Sequence, residues 1–391
     1  MRILAIDLGK NKSVFVDYTT GEGRHQFGKV GTNSHELQKL LERCKPDQLV
    51  IEACPAAGWV CDLAELLKVP VRVANGNDER WRWKTVKEKS DRKDALKLAQ
   101  LTEMDSLPTV HVPKPTVRQW RSLIEYRHGL VDRRTAVKNS IRSIYERQGL
   151  RLPCAKSAWT KAAVEELKKH VSEAKPGDLW LFQVECELKQ LESVGQQIEQ
   201  VEAKLEELSK ENESVRLLKT APCVGPRLSE AVVAILDDPH RFENGRQVGC
   251  YVGLTPRRWQ SGESDRQGRI SKAGNPLLRA LLVEIAWLGV RNKTWMLEAY
   301  ERVGRGSAKR KKIAIVAVAR RLLVKLWAML RDGTEWKEPA KVSASNGKYS
   351  SSLAQDLLLG TPPAGESKGD GPSKRARPVS RKGVKVMAHA R

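Results

Sequence analysis

Apolar positions in the first hundred residues switch between two periods. Arg2 to Asp7 is a short apolar run, and Ser13 to Tyr18 alternates, with β-branched and aromatic residues. A turn-rich stretch with two glycines, Thr19 to Gly23, joins that segment to a third strand, Arg24 to Val30, which predicts a meander. Leu37, Leu40 and Leu41 then fall on one face of a helix over Ser34 to Arg43. Gln48 to Ala53 reads as a buried strand, Gly58 to Lys68 as a second helix, and Pro70 to Ala74 as a last strand before a basic segment, Arg80 to Lys89. Three meandering strands followed by strand–helix repeats predict a mixed α/β sheet covered by helices.

Beyond this the pattern is helical. From Thr116 to Arg147 the apolar positions are Val117, Trp120, Leu123, Ile124, Leu130, Val137, Ile141 and Ile144. The opposite face is basic, with Arg118, Arg121, Arg127, Arg133, Arg134, Lys138, Arg142 and Arg147. Between Asp178 and Asn212, Val184, Leu188, Leu191, Val194, Ile198, Val201, Leu205 and Leu208 step by threes and fours, a coiled-coil seam of roughly four heptads. An intramolecular hairpin with the Thr116 helix and a contact between chains fit this seam equally. Leu217 to Leu236 reads as two helices about a Pro/Gly turn, a helix-hairpin-helix whose amides at Val224 and Gly225 could meet a phosphate. The plainer alternative is an ordinary helix pair.

These shifts divide the chain into an α/β unit (1–110), a helical coiled-coil region (111–214), an α-rich unit (215–335) and a disordered basic tail (336–391). From Lys341 onward the tail holds ten basic residues against three acidic ones and almost no aromatics.

Charge narrows the partners. Seventy Lys and Arg against 47 Asp and Glu give a formal +23, which points to a polyanion. Apolar runs such as Ile313 to Ala319 are broken by Arg320 and Arg321, far short of the roughly 20 residues of a membrane span. The start, MRILAIDLGKN, reaches an aspartate at once and has no secretory apolar region. A cytoplasmic protein is the expectation. The seven cysteines are scattered without a CxxC pair, which argues against a zinc knuckle and for reduced, buried thiols.

Within so basic a chain, four acids stand out. Asp7 ends the first strand, Glu52 lies near the end of another, and Asp91 and Asp94 are three apart on a helix that Ser90 can cap. Each closes or follows an apolar run, where an isolated charge is costly unless paired, hydrogen-bonded or bound to a cation. Gathered at strand ends they would form an oxygen cage for Mg²⁺, the chemistry of phosphoryl transfer. For Asp91 and Asp94 alone, a solvated helix start beside Arg92 and Lys93 is as good a reading.

The strings AIDLGK, VIEACPAAGW and EKSDRKDALKLAQL resemble, in that order, the RuvC-like domain of the DEDD transposases of bacterial insertion sequences. The resemblance runs from residue 2 to about 150 and resumes from about Leu217 to Leu330. It implies an RNase H-like fold for the first part, and a metal-binding catalytic tetrad of Asp7, Glu52, Asp91 and Asp94.

Arg257 to Ser271 reads as a polar, glycine-bearing loop that holds Arg257, Arg258, Arg266 and Arg269, with Lys272 next to it. Arginines can bind non-bridging phosphate oxygens, and a serine there can attack phosphorus, or the loop can bind phosphate with bystander serines. GLTPRRWQSGESDRQGRISKAGN resembles the C-terminal block of the same family, whose serine nucleophile lies in a Ser-Gly element, here Ser261-Gly262. Relatives often read Ser-Ser-Gly-Gly where this chain has Gln260-Ser261-Gly262-Glu263, which leaves Ser264 as a second choice. Ser271 is expected to cap the helix from Gly274.

Together these readings imply a transposase or site-specific recombinase. It would cut and rejoin donor and target DNA through a phosphoserine link, and the family resemblance further implies a dimer or tetramer guided by an RNA of the element. Arg92, Arg121, Arg134, Lys138, Arg257, Arg258, Arg269 and Lys272 are the expected nucleic-acid contacts. Trp81, Trp83 and Trp259, set among basic residues, are expected to touch bases or sugars, and Trp287 and Trp327 to belong to the core. A metal-only nuclease of the junction-resolvase type is the main rival. A sugar-kinase-like phosphotransferase shares the opening Asp-Leu-Gly but lacks a second glycine-rich phosphate loop.

Overall fold

The computed structural model describes residues 1–76, 78, 90–152, 159–175, 177–262 and 264–337. Expectations placed on Trp81, Trp83, Cys154 and the tail from 338 lie outside these residues. The expected meander is β1 (Arg2–Asp7), β2 (Lys12–Thr19) and β3 (Arg24–Gly31), followed by α1 (Ser34–Cys44), β4 (Gln48–Glu52), α2 (Ala57–Leu66), β5 (Val71–Ala74) and α3 (Asp91–Glu103). The strands form one sheet in the order β3-β2-β1-β4-β5. The meander pairs are antiparallel, while β1 with β4 and β4 with β5 are parallel. This is the mixed, helix-covered sheet that the meander and the strand–helix repeats predict.

Period-two alternation sends each strand's side chains to two different cores. Leu4, Ile6, Leu49 and Ile51 meet Leu37, Leu40 and Leu41 of α1 and Val60 and Leu63 of α2. On the other face Ile3, Ala5, Val16, Tyr18 and Val50 meet Ala95, Leu98 and Ala99 of α3. With both faces covered, the central strands read as continuous apolar runs rather than alternating ones.

Two long helices follow, α4 (Pro115–Arg147) and α6 (Leu179–Lys210), with α5 (Lys161–Ser172) between them. The heptad seam closes within the chain: Leu130 packs with Val194 and Ile198, and Val137, Ile141 and Ile144 pack with Val184 and Leu188. Of the two fits the seam allowed, the hairpin is present.

The remaining helices are α7 (Glu213–Leu218), α8 (Pro226–Leu236), α9 (Gly245–Val252), α10 (Pro276–Arg291), α11 (Trp295–Gly304) and α12 (Lys311–Asp332). They enclose the largest apolar cluster, centred on Val232, Leu278, Leu282 and Leu322, and reach Ile124 of α4 and Leu205 of α6. Trp327 is buried in this core as expected, whereas Trp287 stays 37 % exposed, its ring tilted against Tyr300. Trp336 also packs here and stacks on Trp295, so the folded part extends past the expected boundary at 335. Cys44 is buried, but Cys186 and Cys250 are exposed, which corrects the expectation of uniformly buried thiols. No helix among the described residues is long and apolar enough to cross a membrane.

One polar chain, half-buried at one end and buried at the other, joins α4, α6 and α8. Arg127 pairs with Glu202, Arg227 lies 4.0 Å from the same carboxylate, and Arg227 also donates to Glu230, which is 1 % exposed. Ser209 donates to the other Glu230 oxygen at 2.8 Å. Burial holds the Glu230 carboxyl above its ordinary range, against the opposing pull of Ser209 and Arg227. Glu230→Ala takes the 2.9 Å carboxylate partner from Arg227, while Ser209 keeps Leu205 O as its acceptor, and is expected to lower stability by about 2 kcal/mol. A raised carboxyl pKa means that the folded state takes up the proton first. Its cost is therefore present above the folded pKa and is lifted as pH falls through it. Urea unfolding of wild type and Glu230→Gln should show the balance moving toward wild type as pH falls from neutral.

Candidate active site and nucleic-acid interface

Asp7 and Glu52 each follow directly on a paired residue, Ile6 and Ile51, of neighbouring parallel strands. They continue the rows Ile3-Ala5 and Val50, so the alternation places both on the face that α3 covers. The N-cap of α3 is Ser90, whose side chain accepts from the Lys93 amide at 3.4 Å. Asp94 in its first turn is half-buried and Asp91 is exposed. A Cβ at Gly76 would collide with Oε1 of Glu52, so glycine there leaves room for the carboxylate.

Lys97, one turn along α3 from Asp94, is only 6 % exposed. Burial lowers its ammonium pKa, and the charges of Asp94 and Glu52 oppose that shift. Nothing in the sequence singled out this lysine. Four acids at one end of the fold were expected to make a cage, but among the described residues no group of three or more acid, His or Cys side chains is close enough to hold an ion. Instead, Lys97 stands with two of the acids. Their donors are carboxylate oxygens alone, which suit a hard divalent cation.

The second region is not a loop. Pro256–Ser261 and Ser264–Ile270 form an antiparallel ribbon, β6 and β7. Every residue of β6 is exposed, so no apolar alternation marks it as a strand. Ser261 is paired with Ser264, Trp259 with Arg266, and Gln260 with Asp265. Gly262 takes the left-handed conformation at the turn, φ +54°. The base is tightly knotted: Ser271 N donates to Thr255 O, Lys272 N donates to Gly253 O, and the Arg279 guanidinium donates to the carbonyls of Val252 and Gly274. Asn275, not Ser271, caps α10, by accepting from Leu278 N at 3.0 Å.

Directly opposed residues lie on one face of a ribbon. Ser261, Trp259, Ser264 and Arg266 therefore share a face. Arg258 lies on the other, in a two-bond ion pair with Asp265 at 2.7 and 2.8 Å. Arg257 donates to Ser271 O at 3.2 Å, while Arg269 and Lys272 are exposed.

The basic face of α4 splits in two. Arg118 pairs with Asp62, Arg127 with Glu202, and Arg121 donates to the carbonyls of Ala234 and Ile235. Arg121 thus caps the C-terminal end of α8, a favourable place for a cation, which removes it from the expected nucleic-acid contacts. Further along, Arg134, Lys138 and Arg142 form one i, i+4, i+8 stripe. Lys138 and Arg142 lie over the Trp159 ring at 5.2 and 5.3 Å. Burial, then the charges of Arg134 and Arg142, hold the Lys138 ammonium below its ordinary value. Like charges stacked at this spacing oppose helix formation, and a bound polyanion would relieve them. Arg92, at the α3 start, lies over Phe27 at 5.6 Å. In the α7–α8 turn the Val224 amide donates to Ala221 O at 3.2 Å, so it is not open to a phosphate as expected.

Comparison with known proteins falls on both regions. A transposase model of the DEDD, IS110 kind matches residues 4–147. The model of the IS116/IS110/IS902 transposase family matches residues 215–301. The transposase for insertion sequence element IS1111A of Coxiella burnetii is 28 % identical over 344 residues, 84 % of this chain and 90 % of that protein. A probable family 20 transposase of Pseudomonas aeruginosa is also 28 % identical, over 84 % of this chain and 97 % of its own length. The solved RuvC of Thermus thermophilus covers 28 % of this chain and all of its own at a TM-score of 0.22 and 16 % identity, too weak a superposition to define the fold.

Proposed function

Because the chain belongs to the DEDD transposase family of bacterial insertion sequences, we propose that it recombines DNA through a covalent link at Ser261, assisted by Asp7, Glu52, Asp91 and Asp94. The chain is a DNA transposase, an enzyme of strand cleavage and rejoining. What carries the serine assignment is the ribbon. Ser261 stands at the exposed tip of a rigidly rooted hairpin, where a DNA strand can reach it.

Ser261 Oγ attacks phosphorus and gives up its proton, and one ester oxygen of the strand leaves as a free hydroxyl. The phosphoserine ester keeps the other strand end, so the bond energy is conserved for rejoining. Attack by a hydroxyl of a second strand reverses the step and frees the serine. The acids at the strand ends of the sheet would hold Mg²⁺, which supplies charge stabilisation at the phosphoryl oxygens when bound. Asp7, Glu52, Asp91 and Asp94 are the residues that would hold it, through carboxylate oxygens alone. An RNA of the element as guide, and a dimer or tetramer that brings acids and serine together from different subunits, complete this reading. The +23 charge is consistent with both nucleic acids.

A denaturing gel tests the proposal. Protein incubated with the ends of its element, flanking RNA and Mg²⁺ should give a DNA-shifted protein band. Free cut ends without that band would mean a hydrolytic metal nuclease and overturn the serine assignment.

The α4 stripe is read as a nucleic-acid backbone contact. Changing Arg134, Lys138 and Arg142 together to Gln should flatten the slope of log K against log salt by roughly 2 to 3. Filter binding across a salt series measures it, and an unchanged slope would exclude the stripe.

A further inference from the structure

The two faces of the β6–β7 ribbon differ in one respect that the serine assignment does not explain. Near the tip, on the face away from Ser261, Arg258 is neutralised by both oxygens of Asp265, and the exposed Arg269 of that face stands toward the base of the ribbon. On the serine face, Arg266 is exposed and, among the described residues, has no carboxylate partner. Directly across from it stands Trp259, 58 % exposed. A bare indole is the most costly apolar group to leave in water, and here its position is built in. The ring lies against Gly268, where a Cβ would come within 2.5 Å of it. Glycine at 268 is thus the residue that lets the indole lie on the ribbon surface.

We propose that Trp259 and Arg266 seat the strand to be cut, with Arg266 on a phosphate beside Ser261 and Trp259 against a base next to the break. The inference rests on Ser261 as the nucleophile and deepens that reading. A two-stranded ribbon fits a DNA groove. Trp259 is two residues from Ser261 on the same strand and face, and a strand advances roughly 3.3 Å per residue. The indole therefore stands roughly 7 Å from the serine position along the ribbon, about one nucleotide of extended backbone. Arg266 is the two-residue neighbour of Ser264 on the partner strand, so an indole and a guanidinium flank the serine pair at the same level. Stacking tolerates any base, because every base has a π face. Trp259 would then hold the strand without choosing its sequence, which leaves selection of the site to other contacts.

The test uses the full chain and a duplex that carries the element's end, with 2-aminopurine at the base adjoining the cut. In a Ser261→Ala background, where no bond can form, binding should change the 2-aminopurine emission. That change should be lost in Ser261→Ala/Trp259→Ala and largely retained with Trp259→Phe. Gly268→Ala, which leaves the indole in place chemically but pushes it off the ribbon, should weaken the signal. With Ser261 intact, Arg266→Gln should slow adduct formation roughly 10²-fold with DNA affinity within about threefold of wild type, and Arg266→Lys should recover part of the rate. Gln260→Ala, on the opposite face, is the control. An emission change that survives Trp259→Ala, or an Arg266→Gln rate equal to that of Gln260→Ala, overturns the proposal. If wild type itself forms no adduct, the serine reading fails, while the emission arm still decides whether the ribbon seats DNA.

Discussion

Ser261→Ala is expected to remove the protein–DNA adduct completely and to lower strand rejoining by at least about 10³-fold, the scale on which loss of a nucleophile is felt. The change deletes one exposed oxygen at the end of β6, so folding and DNA affinity should stay at wild-type values. Ser264→Ala is the informative companion. Ser264 sits directly opposite on the same face and could serve only if the strand entered from the other side. With Ser261 as nucleophile, Ser264→Ala keeps the adduct. If the two results are exchanged, the nucleophile is Ser264. Peptide mapping of the DNA-linked fragment checks the assignment independently of any substitution.

The second large effect is expected at the sheet. Asp7→Asn and Glu52→Gln each preserve shape but remove one charge, and both should lower cleavage by about 10³-fold. They should also weaken Mn²⁺ binding, which can be followed by titration without DNA. Asp94→Asn, half-buried on the same side, should behave alike, whereas exposed Asp91 is expected to give a smaller loss of metal affinity. A Ser261→Ala protein that binds Mn²⁺ as wild type does, beside a Glu52→Gln protein that does not, would separate the two functions. Equal Mn²⁺ affinity in all of these variants would remove the acids from metal binding.

The sheet was legible because its strands are short apolar runs whose lengths and order leave few alternatives. Arg2–Asp7 and Gln48–Glu52 announce themselves, and the glycines between Thr19 and Arg24 mark the turn. The ribbon was illegible for the opposite reason. Pro256–Ser261 has polar residues on both faces and only one aromatic, so no period-two signal separates it from a loop. Its strand character comes from cross-strand pairing and from the knot at its base, which are tertiary facts. The arginines of α4 taught the same lesson about charge. Residue type showed that they were cationic, but only placement showed that Arg118, Arg121 and Arg127 are spent on Asp62, the α8 carbonyls and Glu202. Lys97 carries no mark in the sequence, because a lysine inside a helical stretch reads as surface until the helix is laid on the sheet.

Every ladder of the five-stranded sheet, including the bridge between Ala74 and Thr109, is made within the first 109 residues. Chains emerge from the ribosome N-terminus first, and units fold as they appear. Asp7, Glu52 and Asp94 can therefore reach their places while Ser261 has yet to be translated. Arg121, by contrast, waits for the far end of α8, more than a hundred residues downstream, before its cap can form. If Ser261 is the nucleophile, a prematurely terminated product that ends before β6 would carry the acids without it.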